Sequence, residues 1–200
     1  NLIKYINQDN WITEYKVTQN FEKNFSKFTN SKHCIVFPNG TITMSSILDC
    51  LNFKKNNEVL VSNYTMIATA NVVKFVGLKT ILVDVSEKDL CMCPKDLTKK
   101  INKNSKVVIY TQMNGRVGQI NLIKRICKKN NLILIEDSAH AIGSYNNNIH
   151  VGNSGIAGSF SFSMPKLITM GQGGAVITNN DKLAKKLRLY KNFGRKKLGE

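Results

Sequence analysis

The most constraining feature of the sequence is a regular alternation, from Glu58 onward, of short continuous apolar runs with segments of helical periodicity. Strands that are apolar along their whole length are buried on both faces, which is typical of parallel strands covered by helices. The alternation therefore predicts an α/β fold, an open and largely parallel sheet with helices on both faces. The predicted strands are 58–62, 79–85, 106–111, 132–136, 158–163 and 173–179, and the predicted helices are 65–76, 94–102, 120–130 and 182–192.

The 200 residues contain no internal repeat and no low-complexity linker, so residues 1–200 are predicted to form one domain. The chain starts at Asn1 rather than Met and stops at Glu200 without an obvious finishing element, and we therefore expect it to be a fragment of a longer chain. No stretch approaches the length of a membrane span, and there is no basic-then-apolar leader. We expect no membrane partner.

The five cysteines are odd in number and scattered, and only Cys91 and Cys93 lie close together. No second pair stands at the spacing of a zinc site, so we expect no metal. Unpaired, scattered thiols are typical of a reducing compartment, and the predicted location is the cytoplasm.

A formal net charge of +16 is the strongest compositional signal. One interpretation is nucleic-acid binding through phosphate contacts, and the other is a lysine-rich composition that decorates solvated helix faces. The lysines are spread in pairs and no aromatic-rich basic stripe accompanies them, so we expect no nucleic-acid partner. A basic surface would also steer anionic substrates toward the protein.

Polar residues that follow the predicted strands are the first candidates for a site, because ligands of such sheets gather beyond the carboxyl ends of the strands. Asn39, Gly40 and Thr41 precede a predicted helix that starts at about Thr41. Backbone amides at a helix start, together with the Thr41 hydroxyl, can hold a phosphate. The alternative is an ordinary helix cap.

Asp137 and His140 follow the apolar strand 132–136. A carboxylate in that place can bind a metal, act as a base or pair with a protonated ring nitrogen, and it can also be a simple turn or capping residue. His140 is open to a structural or a catalytic interpretation.

The stretch "FSFSMPKLITMGQGG" places Lys166 inside an apolar run, where an unpaired ammonium is costly. Strand periodicity puts Phe160 and Phe162 on one face and Ser161 and Ser163 on the other. The "GQGG" that follows is predicted to be only a hairpin-like turn.

Taken together, a phosphate site, a carboxylate and a buried lysine suggest pyridoxal phosphate as the cofactor. Its phosphate needs amides and hydroxyls, its pyridine nitrogen needs a carboxylate, and its aldehyde needs a lysine. A lysine that is bonded to the aldehyde tolerates burial because it is no longer a free ammonium.

The order of the motifs resembles that of one known family. The segments "NGT", "NYTMIATANVVKFVGLKTILVDV", "IEDSAHAIGS", "GNSGIAGSFSFSMPK", "GQGGAVITNN" and "YKNFG" all match in order, over about Glu22 to Gly194. The chain is thereby similar to the DegT/DnrJ/EryC1/StrS family of pyridoxal-phosphate sugar aminotransferases, and most of all to nucleotide-sugar 4-aminotransferases of the perosamine type.

The resemblance implies a role for each matching residue. Lys166 would bind the aldehyde and shuttle a proton, Asp137 would pair with the ring nitrogen, and His140 would lie near the phenolic oxygen, where many relatives have glutamine. The remaining cofactor-binding residues would be Gly40, Thr41 and Ser161 at the phosphate and Met66 over the ring, where relatives usually carry an aromatic residue. A subset of the family that acts as sugar dehydratases has histidine in place of the lysine, so Lys166 favours transamination.

The family's fold is the aspartate-aminotransferase type, fold type I, with a mixed, mainly parallel sheet and a small C-terminal domain, which we expect to lie outside these 200 residues. Family members are homodimers whose partner subunit completes the site. The resemblance implies amino transfer from L-glutamate to a nucleotide-linked keto-deoxysugar, at its 4-position. The alternative is a truncated, catalytically silent member that only binds cofactor or dimerises.

Overall fold

The computed structural model describes residues 2–7 and 16–196. The helices are α1 (Leu2–Ile6), α2 (Lys16–Thr29), α3 (Gly40–Leu51), α4 (Ile67–Phe75), α5 (Pro94–Lys100), α6 (Ile120–Lys129) and α7 (Asp181–Lys191), with a 3-10 turn at Met113–Gly115. The strands are β1 (His33–Phe37), β2 (Glu58–Ser62), β3 (Lys79–Val83), β4 (Ser105–Thr111), β5 (Ile133–Asp137), β6 (Tyr145–Asn146), β7 (Ile149–His150), β8 (Ala157–Ser161) and β9 (Gly174–Thr178).

Seven of these strands form one sheet in the order β1-β9-β8-β5-β4-β2-β3, and β6 and β7 form a separate hairpin. β9 runs antiparallel to both of its neighbours, whereas every other pair in the large sheet is parallel. The carboxyl ends of β1, β2, β4, β5 and β8 therefore lie at the same edge. The predicted α/β fold with a mixed, mainly parallel sheet is confirmed.

The inner strands of the sheet are buried on both faces because helices cover each side, whereas β3 at the sheet edge is partly exposed. In β2, Val59 and Val61 pack into the core beneath α3, α4 and α7, while Leu60 between them packs into the core beneath α5 and α6. A strand that serves two cores needs apolar residues at every position. The three central residues of β2, Val59, Leu60 and Val61, have this property.

Most predicted elements begin or end within two residues of the observed ones, and the strand predicted at 79–85 shows why they differ. It ends at Val83, because the next backbone groups are taken by other partners. The amide of Asp84 donates to Asp96 Oδ2 at 2.7 Å, and its carbonyl accepts from the amide of Cys93 at 2.8 Å. The chain therefore turns away from β2 after Val83.

Helix α2 and strand β1 were not predicted from the pattern, and a buried carboxylate fixes them in place. Glu22 of α2 accepts hydrogen bonds at 2.9 Å from the amide of Val36, from Arg188 Nη1 and from Lys191 Nζ. Burial acts to raise the pKa of Glu22, but Lys191, the Val36 amide and Arg188 outweigh it and hold the pKa below its usual value. Glu22 thus joins α2 to β1 and α7.

Within the part of the chain that the structure describes, no helix combines the length and the apolarity needed to cross a membrane.

Candidate active site

A cavity of about 520 Å³ opens at the edge of the sheet where the parallel strands end. All seven residues that the sequence analysis assigned to the site line it, although they come from four separate stretches of the chain. They are Gly40, Thr41, Met66, Asp137, His140, Ser161 and Lys166. The topology explains this convergence, because β1, β5 and β8 deliver their following residues to one edge.

The first wall of the cavity is the N-terminus of α3, which starts directly after β1. Asn39 caps the helix, with its Oδ1 accepting from the amide of Ile42 at 2.9 Å. The first-turn amides of Gly40 and Thr41 have no intrahelical acceptor and lie at the cavity, with the Thr41 hydroxyl beside them. This segment, which we call the cradle (residues 39–41), can therefore take an anion.

Two glycines let the cradle approach the sheet. A Cβ on Gly40 would lie 2.8 Å from Ser161 Cβ, and a Cβ on Gly174 would lie 2.5 Å from the carbonyl carbon of Asn39. The prediction that "GQGG" is only a turn was incomplete: Gly174 is the first residue of β9, and its missing side chain makes room for the peptide between Asn39 and Gly40. Packing thus presses the cradle against Ser161.

The second wall is Asp137, the last residue of β5, which is almost fully buried. Its Oδ2 accepts from Thr69 Oγ1 at 2.7 Å, and its Oδ1 accepts a longer bond of 3.3 Å from the amide of Ala139. The neighbouring Glu136 has a different task. It accepts from the amides of Gly152, Ser154 and Gly155 and from Gln112 Nε2, so it anchors a loop rather than lining the cavity.

Lys166 is half-buried in the segment that connects β8 to β9, and Phe162 anchors both ends of that segment. The amide of Phe162 donates to the Gly173 carbonyl at 2.8 Å, and its carbonyl accepts from the Met170 amide at 2.9 Å. The Phe162 ring packs edge-on against Phe21 and Phe25 of α2, each at 5.4 Å between centroids. The strand periodicity is therefore confirmed, with Phe162 buried and Ser161 at the cavity.

Burial sets the electrostatics of the three titratable groups. It raises the pKa of Asp137, against the opposing effects of Thr69, the Ala139 amide, His140 and Lys166. It lowers the pKa of Lys166, against the attraction of Asp137. For His140, burial and the Lys166 cation lower the pKa, and Asp137 opposes them. The lysine is thereby biased toward its neutral amine and the histidine toward its neutral ring.

Met66 lies at the outer side of the cavity, where it precedes α4 and is 61% exposed. A smaller lobe of about 220 Å³ adjoins the cavity at Lys166. It shares Ala139, His140, Ser161, Pro165 and Lys166 with the main cavity and is completed by Asn114, Ile142, Leu167 and Ile168. Lys166 therefore faces two adjoining spaces.

Several polar residues that line the cavity were missed by the sequence analysis. Thr65 and Thr69 belong to the segment that also carries Met66, and Thr111 ends β4 next to Asp137. The signal that could have found Thr111 is its place at the end of an apolar strand, the same criterion that selected Asp137. Ser163 and Gln172 flank Lys166 in sequence and line the cavity as well.

The residues around the cavity fit the predicted cofactor. The cradle and Ser161 offer amides and hydroxyls for a phosphate, buried Asp137 offers a carboxylate for a cationic ring nitrogen, and Lys166 offers an amine for an aldehyde. Across residues 2–7 and 16–196, no group of three or more histidine, cysteine, aspartate or glutamate side chains could hold a metal ion.

Comparison with known proteins gives one family. The model of the DegT/DnrJ/EryC1/StrS aminotransferase family matches residues 1–200. Among solved structures, the aminotransferase from Psychrobacter cryohalolentis is 30% identical, with a TM-score of 0.91 over 97% of this chain and 49% of its own. Helicobacter pylori PseC, an aminotransferase involved in the biosynthesis of pseudoaminic acid, is 28% identical, with a TM-score of 0.93 over 100% of this chain and 54% of its own.

A third structure, that of 3-amino-5-hydroxybenzoic acid synthase, is 25% identical, with a TM-score of 0.92 over 97% of this chain and 51% of its own. The chain thus spans about half the length of the solved structures that it matches.

Proposed function

Because this chain belongs to the DegT/DnrJ/EryC1/StrS aminotransferase family, we propose that it forms the cofactor-binding part of a pyridoxal-phosphate-dependent sugar aminotransferase. The amino group would pass from L-glutamate to the 4-keto group of a nucleotide-linked deoxysugar. The observation that carries the proposal is the convergence of the cradle, Asp137 and Lys166 on one cavity.

The cofactor would be held at two ends. The amides of Gly40 and Thr41, with the hydroxyls of Thr41 and Ser161, would bind the phosphate at the start of α3. Asp137 would hold the proton on the ring nitrogen by pairing with it. When bound, pyridoxal phosphate supplies an electron-withdrawing ring that stabilises negative charge beside the transferred nitrogen. A carboxylate that is buried and hydrogen-bonded suits this role, because its charge acts there through a low dielectric.

Lys166 would perform the covalent and proton-transfer steps. Burial lowers its pKa, which increases the fraction of neutral amine that can bond to an aldehyde. Once an incoming amine has displaced it, the Lys166 amine would take a proton from the substrate carbon and return it as a general acid. The adjoining lobe gives the substrate a place beside the same nitrogen.

His140 and Met66 would adjust the cofactor rather than react with it. A neutral His140 would hydrogen-bond the phenolic oxygen. Met66 would cover the ring face through its thioether, which is a softer and less rigid contact than an aromatic ring. The formal charge of +16 would favour an anionic, nucleotide-linked substrate by long-range steering.

We also propose that the protein acts as a homodimer through the surface around the cavity. Large apolar side chains are exposed there on both sides of the opening, and their exposure is typical of an interface. They are Met66, Ile67, Met164, Leu167, Ile168 and Met170. A second copy would cover them and close the cavity from water, in keeping with the expectation that the partner completes the site.

The cytoplasm is the location that we propose for the enzyme. All five cysteines are free thiols, and four of them are buried. Burial raises the pKa of Cys34 and of Cys127 to about 12, so both would stay unreactive at neutral pH.

The first test is a visible absorbance spectrum of the purified protein with pyridoxal phosphate, recorded before and after addition of L-glutamate. We expect a band of covalently bound cofactor that glutamate converts to the amino form. Lys166→Ala should remove the band, and Lys166→Arg is the control that keeps the charge but not the nucleophile. Turnover that survives in Lys166→Ala would refute the assignment. A folded protein without any band would favour the catalytically silent alternative.

A further inference from the structure

A row of three threonine hydroxyls leads to the carboxylate of Asp137. Thr69 Oγ1 donates to Asp137 Oδ2 at 2.7 Å. Thr65 Oγ1 lies 3.0 Å from Thr69 Oγ1 and 3.1 Å from Thr111 Oγ1. Thr69 and Thr111 are buried and Thr65 is half-buried, so the row is largely screened from water. It joins helix α4 and the residues before it to the ends of β4 and β5.

The ionised carboxylate fixes the direction of every bond in the row. Each hydroxyl has one proton, and Thr69 gives its proton to Asp137. The bond between Thr65 and Thr69 must then be donated by Thr65, and the bond between Thr65 and Thr111 by Thr111. All three hydroxyl dipoles consequently point toward the negative charge. Hydrogen bonds aligned in this way polarise and strengthen one another.

The row also gives the two carboxylate oxygens of Asp137 different hydrogen-bonding roles. Oδ2 is engaged by Thr69 through a short bond to a charged acceptor, whereas among the described residues Oδ1 accepts only the 3.3 Å bond from the Ala139 amide. Oδ1 therefore keeps most of its capacity to accept a bond from a cation. To bind a cation, Asp137 has to be ionised. Burial opposes its ionisation, so the pKa of Asp137 is raised in spite of the hydrogen bond from Thr69.

We propose that Thr111, Thr65 and Thr69 are positioning residues that keep the buried Asp137 carboxylate ionised and leave its Oδ1 available to a protonated ring nitrogen. The inference rests on the proposed function only for the identity of that nitrogen. The effect on Asp137 itself is a property of the protein without cofactor. This separates the test of the row from the test of aminotransferase activity.

The experiment is a titration of Asp137 by carbon-13 NMR of its carboxyl group in the cofactor-free protein, with the signal assigned through Asp137→Asn. Thr69→Val keeps the shape of the side chain and removes the hydroxyl. We expect it to raise the pKa of Asp137 by about one to two units, from the usual strength of a hydrogen bond to a charged group. Thr69→Ser should restore the parent value.

Thr65→Val and Thr111→Val should raise the pKa of Asp137 in the same direction by smaller amounts, because they leave the bond from Thr69 in place. The matched control is Thr43→Val, which removes another buried hydroxyl, bonded to Ser159 Oγ at 2.5 Å and to the Gly40 carbonyl at 2.6 Å but not to Asp137. It should leave the titration unchanged. A Thr69→Val titration that coincides with that of Thr43→Val would overturn the proposal. A shift in Thr69→Val with none in the other two would overturn the roles of Thr65 and Thr111.

In the cofactor-loaded protein, the same series gives a second readout. Loss of ionised Asp137 should weaken the pairing with the ring nitrogen, so Thr69→Val should lower kcat while the KM for glutamate changes little. A purely structural defect would instead lower the fraction of folded protein and leave kcat per folded site intact.

Discussion

Gly174→Ala tests whether the sheet holds the anion cradle in position. Gly174 does not line the cavity, yet a Cβ at this position would lie 2.5 Å from the Asn39 carbonyl carbon, 2.6 Å from the Asn39 carbonyl oxygen and 2.9 Å from the Gly40 amide nitrogen. Non-bonded carbon atoms prefer separations of roughly 3.5–4.0 Å, so a shift of about 1 Å is needed. β9 cannot supply it easily, because Gly174 is paired with Phe37 on one side and Ser161 on the other. The cradle has to move instead.

Overpacking of this kind costs about 1–3 kcal/mol. If that strain is released at the cradle, the dissociation constant of pyridoxal phosphate should rise roughly 5- to 150-fold, since each 1.4 kcal/mol is a factor of ten. The assay is a titration of cofactor-free protein with pyridoxal phosphate, followed by absorbance. Thermal unfolding without cofactor is measured in parallel.

The matched control is Gly173→Ala, in the preceding residue. Its Cβ would lie 3.4 Å from Phe162 Cβ and 3.6 Å from Met170 Sδ, which are ordinary contacts. We expect it to bind the cofactor like the parent protein. The reasoning is refuted if Gly174→Ala binds the cofactor as tightly as Gly173→Ala, whether or not its melting temperature falls.

Two further predictions concern the ring face and a buried ion pair. Met66→Phe should slow cofactor release, measured after rapid gel filtration, because an aromatic ring covers the pyridine more rigidly than a thioether; unchanged release would contradict the assigned position of Met66. Glu22→Gln should reduce the free energy of unfolding at pH 7 by about 2 kcal/mol, through the loss of charge-assisted bonds to Arg188 and Lys191. The folded-state pKa of Glu22 is depressed, so its contribution is present above the unfolded pKa and disappears as the pH falls through the folded value. The difference in stability between the two proteins in urea should therefore shrink as the pH falls below about 4.3, the ordinary pKa of glutamate, and a difference that stays constant down to pH 3 would contradict the mechanism.

The sequence predicted the elements between Glu58 and Asp137 well because each buried strand there has to be apolar on two faces. β1 was harder to predict, because its partner β9 lies about 140 residues later in the sequence and no local pattern indicates that the two strands pair. Helix α2 is held to the rest of the protein by one buried carboxylate, Glu22, and by an aromatic face. Its sequence "KVTQNFEKNFSKFT" is mostly polar, so the local pattern did not predict a buried helix.

In the candidate site, too, local motifs were predictable from the sequence, whereas contacts between distant segments were not. Gly40 was predicted because it stands at the start of a predicted helix, and Asp137 and Lys166 because each follows a predicted strand within a recognisable motif. The bond from Thr69 to Asp137 and the close approach of Gly174 to Asn39 arise only when separate segments meet in space. These contacts decide how the motif residues are held, and a single sequence contains no direct sign of them.

The placement of β1 beside β9 also sets an order of events during synthesis. The ribosome makes β1 early, but its antiparallel partner does not exist until the chain has passed Thr178. At about 5–20 residues per second, the ribosome needs roughly 7–28 s to pass from the end of β1 to the end of β9. During that time β1 and the cradle that follows it have no β9 to pack against. A nascent chain of this protein therefore lacks the complete cradle until late in translation, and its early apolar segment "HCIVF" stays without its strand partner in that interval.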